Sequence, residues 1–185
     1  MDSLDKDLIR NNIFILIENS GISDINFANL LGISDKQIKR IKKSEAEFSI
    51  NNINKAGDFF NKSLSIINSP KVEFEKDFRI KLIKKHRGNP EYIKLLSDRP
   101  SITYAIKHVL IFNEEFSKKG LTVREINDIF KLNGWTFSSA YISLALKRNK
   151  QLFNIIPNLL SKALFFTQKK RQANLAYQLR VIFLL

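Results

Sequence analysis

The sequence predicts a mostly α-helical chain with one small β-hairpin near its C-terminal end. Three observations carry that expectation. Apolar residues recur at helical spacing, as in "LDKDLIRNNIFILIENSG", where Leu4, Leu8, Ile9, Ile13, Leu16 and Ile17 share one stripe. Helix-starting Ser, Thr and Asn residues and helix-ending glycines punctuate such stripes along most of the chain. After Lys150 the texture changes to two short apolar, β-compatible runs, "QLFNII" and "ALFFTQ", around the turn-prone "PNLLSK".

The elements follow in order. The first helix covers the opening stripe and ends before Gly21. A short helix over about 25–31 stops at Gly32, and Ser34 is an N-cap, with Gln37 three residues on as its capping-box partner. The next helix runs to about Lys43. "FSINNINKAGDFFNKSLSIINSP" reads as one or two short helices ending before Pro70. "VEFEKDFRIKLIKKHRG" reads as an amphipathic helix with Lys84, Lys85, His86 and Arg87 set against its dipole and Gly88 as its stop. "NPEY" opens another helix, with Asn89 as cap and Pro90 at the first helical position. A longer helix is expected from Ser101 to Gly120. "TVRE" is a Thr-x-x-Glu capping box for a helix over 123–132, and "NGWTF" turns the chain into the helix "SSAYISLALKRN".

Composition bounds the function. The 185 residues hold 44% hydrophobic side chains, enough for a core, and no cysteine, so disulfides, thiolate metal sites and a cysteine nucleophile are excluded. No apolar run reaches the roughly 18–20 residues of a membrane span, and the acidic "MDSLDKDLIR" lacks the basic-then-apolar order of a secretory signal; a cytoplasmic protein without a membrane role is expected. The formal net charge is +13 and unevenly placed. Residues 1–69 hold nine basic and nine acidic side chains, whereas 70–185 hold twenty-two and nine. After Asp128 there is no acidic residue. Charge segregated in this way marks a surface for a polyanion.

The order helix, turn, basic helix occurs twice, at 25–43 and 123–149. These mark two modules, residues 1–69 and 101–185, joined by a helical linker over 70–100. In "FANLLGISDKQIKRIKK", Ala28 is small where a second helix would cross, Gly32 suits a left-handed turn, and Leu31, Ile33, Ile38 and Ile41 form an inner face. The outward positions are Asp35, Lys36, Gln37, Lys39 and Arg40, with Lys42 and Lys43 at the exit.

This stretch resembles the Cro/lambda-repressor-like helix-turn-helix family over about residues 8–68. The resemblance implies an N-terminal five-helix bundle that binds double-stranded DNA, with Ser34, Asp35, Lys36, Gln37, Lys39 and Arg40 facing the groove and Lys43 at its edge. Gln37 would meet an adenine edge, and Lys39 or Arg40 a guanine edge or a phosphate. Two positions depart from the family pattern: Lys42 stands where Glu is usual, and Ser44 where a loop glycine is common.

The second module resembles a winged helix, an α+β domain whose third helix enters the major groove beside a hairpin wing. That resemblance places Ser138, Ser139, Tyr141 and Ser143 near DNA and sends Lys147, Arg148 and Lys150 to phosphates. Lys169, Lys170 and Arg171 at the hairpin exit would add backbone contacts. Together the two resemblances imply a bacterial or phage-derived transcriptional regulator acting by operator occupancy, most simply as a homodimer. The helix at 101–117 and the C-terminal "AYQLRVIFLL" are candidate dimer surfaces, and Ile182, Phe183, Leu184 and Leu185 could instead take a protein partner.

Two other readings remain open at this point: a DNA-binding antitoxin or accessory protein of a mobile element, and an adaptor that uses the fold without duplex recognition. Catalysis is not expected. His86 and His108 have no metal-binding spacing, no nucleotide-cradling glycine loop occurs, and carboxylates are scarce in the basic half. Neither metal nor cofactor is expected.

Overall fold

A computed structural model describes residues 4–75 and 77–149, and the backbone of 153–157 and 164–168. The chain is mostly helical and divides into two compact units, Met1–Ile106 and Lys107–Leu185.

The first unit starts with α1 (Lys6–Ser20), α2 (Asp24–Leu31) and α3 (Asp35–Lys42). It continues through α4 (Ile50–Phe60), α5 (Leu64–Ile67), α6 (Phe78–Lys85) and α7 (Pro90–Ser97) into α8 (Ile102–His108). Local chemistry sets most of the boundaries. The Asp5, Ser23, Ser34, Ser49, Ser63 and Asn89 side chains each accept a backbone N–H from the first turn of the helix that follows, satisfying donors that have no partner within the helix. Gly21 and Gly32 end α1 and α2 in the left-handed region at φ 77° and 74°. Asn61 plays the same part after α4 at φ 51°.

One core joins these helices. Ile13, Leu16, Phe27, Ala28, Ile38, Ala56, Phe59, Phe60 and Ile67 are almost wholly buried. Buried Asn12 on α1 donates to the carbonyls of Ile67 (2.9 Å) and Ser69 (2.7 Å), so its amide satisfies the end of α5 rather than standing unpaired in the core.

Residues 70–100, expected as a linker, supply Val72, Phe78, Leu82 and Leu96 to this same core. Phe78 stacks on Phe60 at 6.3 Å. Arg79 is buried, and its guanidinium donates to three backbone carbonyls, those of Ser20 (2.6 Å), Leu96 (2.5 Å) and Asp98 (2.8 Å). It also lies over the Tyr104 ring, 5.6 Å from the centroid. Burial holds its pKa below the ordinary arginine value, against the opposing influence of Tyr104 and Asp98. Burial pushes the Tyr104 phenol up. Gly21 is tightly framed here: a Cβ on it would fall 2.9 Å from Arg79 Nη1 and from Tyr104 Cγ.

Three expectations are corrected. The helix expected over "VEFEKDFRIKLIKKHRG" is confined to Phe78–Lys85, because Val72 enters the core from a non-helical segment and residues 86–88 form a turn. His86, expected to complement the helix dipole, instead belongs to the core. It is buried, its Nε2–H donates to the Phe59 carbonyl at 2.7 Å, and its ring stacks on Phe59 and meets Tyr92 edge-on. A carbonyl can only accept, so this bond places a proton on Nε2. The long helix expected from Ser101 to Gly120 is broken into α8, a 3₁₀ turn at Leu110–Phe112 and α9 (Glu114–Lys119). Asn113 causes the break, since its side chain accepts the Phe116 N–H (2.9 Å) and starts a new helix. The signal was in the sequence: Asn followed by two glutamates is a helix start.

The second unit continues with β1 (Leu121–Thr122), α10 (Val123–Leu132), α11 (Ser139–Arg148), β2 (Phe153–Pro157) and β3 (Leu164–Gln168). The strands form an antiparallel sheet in the order β1–β3–β2. Phe153 pairs with Gln168 and Pro157 with Leu164, while Leu121 and Thr122 pair with Phe166 and Phe165. Thr122 and Glu125 form the reciprocal capping box read from "TVRE". Gly134, at φ 77°, turns the chain between α10 and α11. Ile126, Phe130, Phe137, Ile142 and Leu146 are buried, and the rings of Phe130 and Phe137 meet edge-on at 5.3 Å.

Candidate nucleic-acid interface

The geometry of α2, turn and α3 follows from a few local devices. Gly32 ends α2, and the Ile33 N–H returns to the Ala28 carbonyl at 3.0 Å. A Cβ on Gly32 would meet nothing within 4 Å, so its φ of 74°, not lack of space, is what selects glycine. Ser34 then caps α3 through the Gln37 N–H (3.2 Å). Ile38 and Ile41 are buried at 1% and 0% exposure and orient the helix.

At ~100° per residue, the side directly opposite Ile38 and Ile41 holds Lys36, Lys39, Arg40 and Lys43. All four are exposed, and among the described residues none forms an ion pair. With Asp35 and Glu45 they line an open concavity. Arg40 is steadied by a bond from Nη2 to the Glu45 carbonyl at 3.2 Å. Ser34 is exposed; Asp35 and Gln37 are half-buried at the rim.

Lys42 is set apart from its neighbours. It reaches back to Asp24 at the start of α2 (2.6 Å) and lies 5.1 Å from the centroid of the Phe14 ring. Its ammonium therefore joins α3 to α1 and α2. Ser44, just beyond α3, sits at φ 66°, a left-handed conformation that costs a non-glycine residue about 1 kcal/mol.

In the second unit, Ser138 is the N-cap of α11, accepting the Tyr141 N–H at 3.3 Å. Ser139, Tyr141, Lys147 and Arg148 are exposed, and Ser143 is half-buried. Ile142, Ala145 and Leu146 are buried, the inward face expected of this helix. Lys150, Lys169, Lys170 and Arg171 lie outside the described residues, as does the C-terminal segment from Ala176 with its apolar Ile182, Phe183, Leu184 and Leu185. The other expected dimer surface, 101–117, has most of its apolar positions already inside the units: Ile102, Ala105, Ile106, Leu110 and Phe116 are buried.

Comparison with protein-family models, with curated proteins and with solved structures finds no match. The chemistry of the surface is therefore the guide to what it binds. Four cations on one short helix face outnumber the two carboxylates, Asp35 and Glu45, that share their concavity, and a face of net positive charge attracts polyanions. Among the described residues, no group of His, Asp or Glu side chains could hold a metal ion, and no helix is long and apolar enough to cross a membrane.

The residues that sequence reasoning missed are structural supports of this surface rather than parts of it. Lys42 and Asp24 are eighteen positions apart, and nothing local signals their pairing.

Proposed function

We propose that this chain binds double-stranded DNA with sequence preference, using α3 as the reading helix, and regulates transcription by occupying its site. The observation that carries the reading is the outward face of α3, where Lys36, Lys39, Arg40 and Lys43 stand exposed and, among the described residues, form no ion pair, on a helix that Ile38 and Ile41 hold against α2. An exposed helix of this width fits the ~12 Å major groove. Lys and Arg supply both the phosphate contacts that position a protein and the bidentate contacts that read guanine. Half-buried Gln37, on the rim, suits an adenine edge. The left-handed backbone at Ser44, where the resembled repressor family often has glycine, adds support.

On this reading the second unit acts as a winged-helix-like module, with α11 in the groove and the β2–β3 hairpin beside it. The acid-free charge beyond Asp128 then supplies salt-sensitive affinity, and the first unit, which carries α3, supplies discrimination. Dimerisation on a two-fold site belongs to the proposal and is read out by sedimentation on and off DNA.

The test is fluorescence anisotropy of the full chain on duplexes selected from a random pool, against unselected duplex, single strands and structured RNA, at about 50 and 200 mM salt. The expected result is a preference of roughly a thousandfold for selected duplex. Lys39→Ala/Arg40→Ala should abolish that preference and lower the salt slope by about 1–2. Equal binding to all duplexes, indifferent to the double change, would show α3 to be scaffold. A preference for single strands or RNA would replace the duplex reading with an adaptor.

A further inference from the structure

The outward face of α11 does not match its sequence reading as a row of hydroxyls. At ~100° per residue, the direction opposite the buried Ile142, Ala145 and Leu146 is centred on Ala140 and Leu144, with Lys147 and Arg148 on either side. Leu144 is 44% exposed and Ala140 is exposed. Ser143, expected in the groove, is half-buried, and Tyr141 leans toward the core, its ring 6.2 Å from that of buried Phe137. The centre of the free face is thus apolar and its edges are cationic.

A leucine in the middle of a solvent face contributes little to folding, and its surroundings say what it meets. α11 carries two basic residues and no acidic one, and among the described residues neither Lys147 nor Arg148 forms an ion pair. Cations flanking a helix face complement the two phosphate strands that border a groove. Within the major groove, the one apolar feature on any base edge is the C5-methyl group of thymine. Leu144 has no hydrogen-bonding group, so a methyl is what it can recognise there.

We propose that Leu144, with Ala140 one turn before it, is a specificity-determining contact for thymine methyl groups, while Lys147 and Arg148 hold the flanking phosphates. This inference rests on the duplex-DNA reading above and goes beyond it by assigning a base and an atom to the second unit.

The test uses the full chain and a selected duplex in which each thymine is replaced in turn by deoxyuridine, which removes the methyl and nothing else. At one or two positions the affinity should fall by about three- to fivefold, the value of burying one methyl. Leu144→Ala should lose a similar factor on the thymine duplex and become indifferent to uridine at those positions. Lys147→Ala should weaken both duplexes equally and reduce the salt slope by about one. Circular dichroism of the variants checks that α11 is retained. Indifference of the unaltered chain to every uridine substitution overturns the inference while leaving the duplex reading intact. So does a Leu144→Ala variant with the same thymine-to-uridine ratio as the parent. Absence of any duplex preference overturns both. Loss of self-association in Leu144→Ala, with DNA binding unchanged, would make the face a protein contact and also overturn it.

Discussion

Arg79→Met tests how the first unit is held together. The substitution keeps an unbranched, helix-compatible side chain of comparable length and removes the guanidinium. Three charge-assisted bonds, at 2.5–2.8 Å, are lost from the carbonyls of Ser20, Leu96 and Asp98. A buried carbonyl left without a donor costs about 1–3 kcal/mol. The Asp98 carbonyl lies at an exposed residue, where water can replace part of the loss. Against this, the variant no longer desolvates a cation, the effect that lowers the Arg79 pKa. The balance is a loss of about 3–4 kcal/mol, a large share of the roughly 5–15 kcal/mol that stabilises a domain. For a unit of this size the melting temperature should fall by at least ~12 °C. Urea unfolding followed by circular dichroism, with calorimetry alongside, measures it. Arg79→Lys should recover less than half, because one ammonium cannot reproduce the fork that serves carbonyls from Nη1 and Nη2 at once. A loss below ~1 kcal/mol for Arg79→Met would refute the view that this side chain ties α1, α6 and α7 into one body.

Two further predictions concern local devices. Ser44→Gly should stabilise the chain by about 0.5–1 kcal/mol, because glycine adopts φ 66° without the penalty paid by a Cβ; a lower melting temperature would mean that the Ser44 side chain contributes something the geometry does not reveal. Thr122→Ala should cost about 1 kcal/mol by removing the cap of α10. The Thr122 backbone and hydroxyl donors hold the Glu125 carboxyl below its ordinary pKa. Its folded value being depressed, the stability it contributes is complete above the ordinary glutamate range and is lost as pH falls through the lowered value. In Thr122→Ala the Glu125 pKa, followed by carboxyl NMR, should rise part of the way back, since the backbone donor remains. An unchanged value would contradict the role given to the hydroxyl.

The sequence by itself determined the helical punctuation. Ser34, Asn89 and Thr122 start helices because each side chain needs only an N–H three residues away, and Gly21 and Gly32 stop them because each carries its own backbone freedom. Periodicity was equally local, so the inward set Ile38 and Ile41, the inward set Ile142, Ala145 and Leu146, and hence the exposed cations of α3, could be read from spacing alone. Tertiary structure alone decided where the remaining polar side chains went. Arg79 and His86 belong to a strongly basic stretch that reads as an amphipathic helix with His86 set against its dipole, yet their partners lie 59, 17 and 27 positions away. Lys42 looks like one more cation of the outward face of α3 until Asp24 and the Phe14 ring claim it. The physical reason is range. A cap or a stripe is settled by neighbours within one or two turns, whereas a buried cation is tolerated only where distant backbone carbonyls converge on it, and that convergence exists only once the chain has folded.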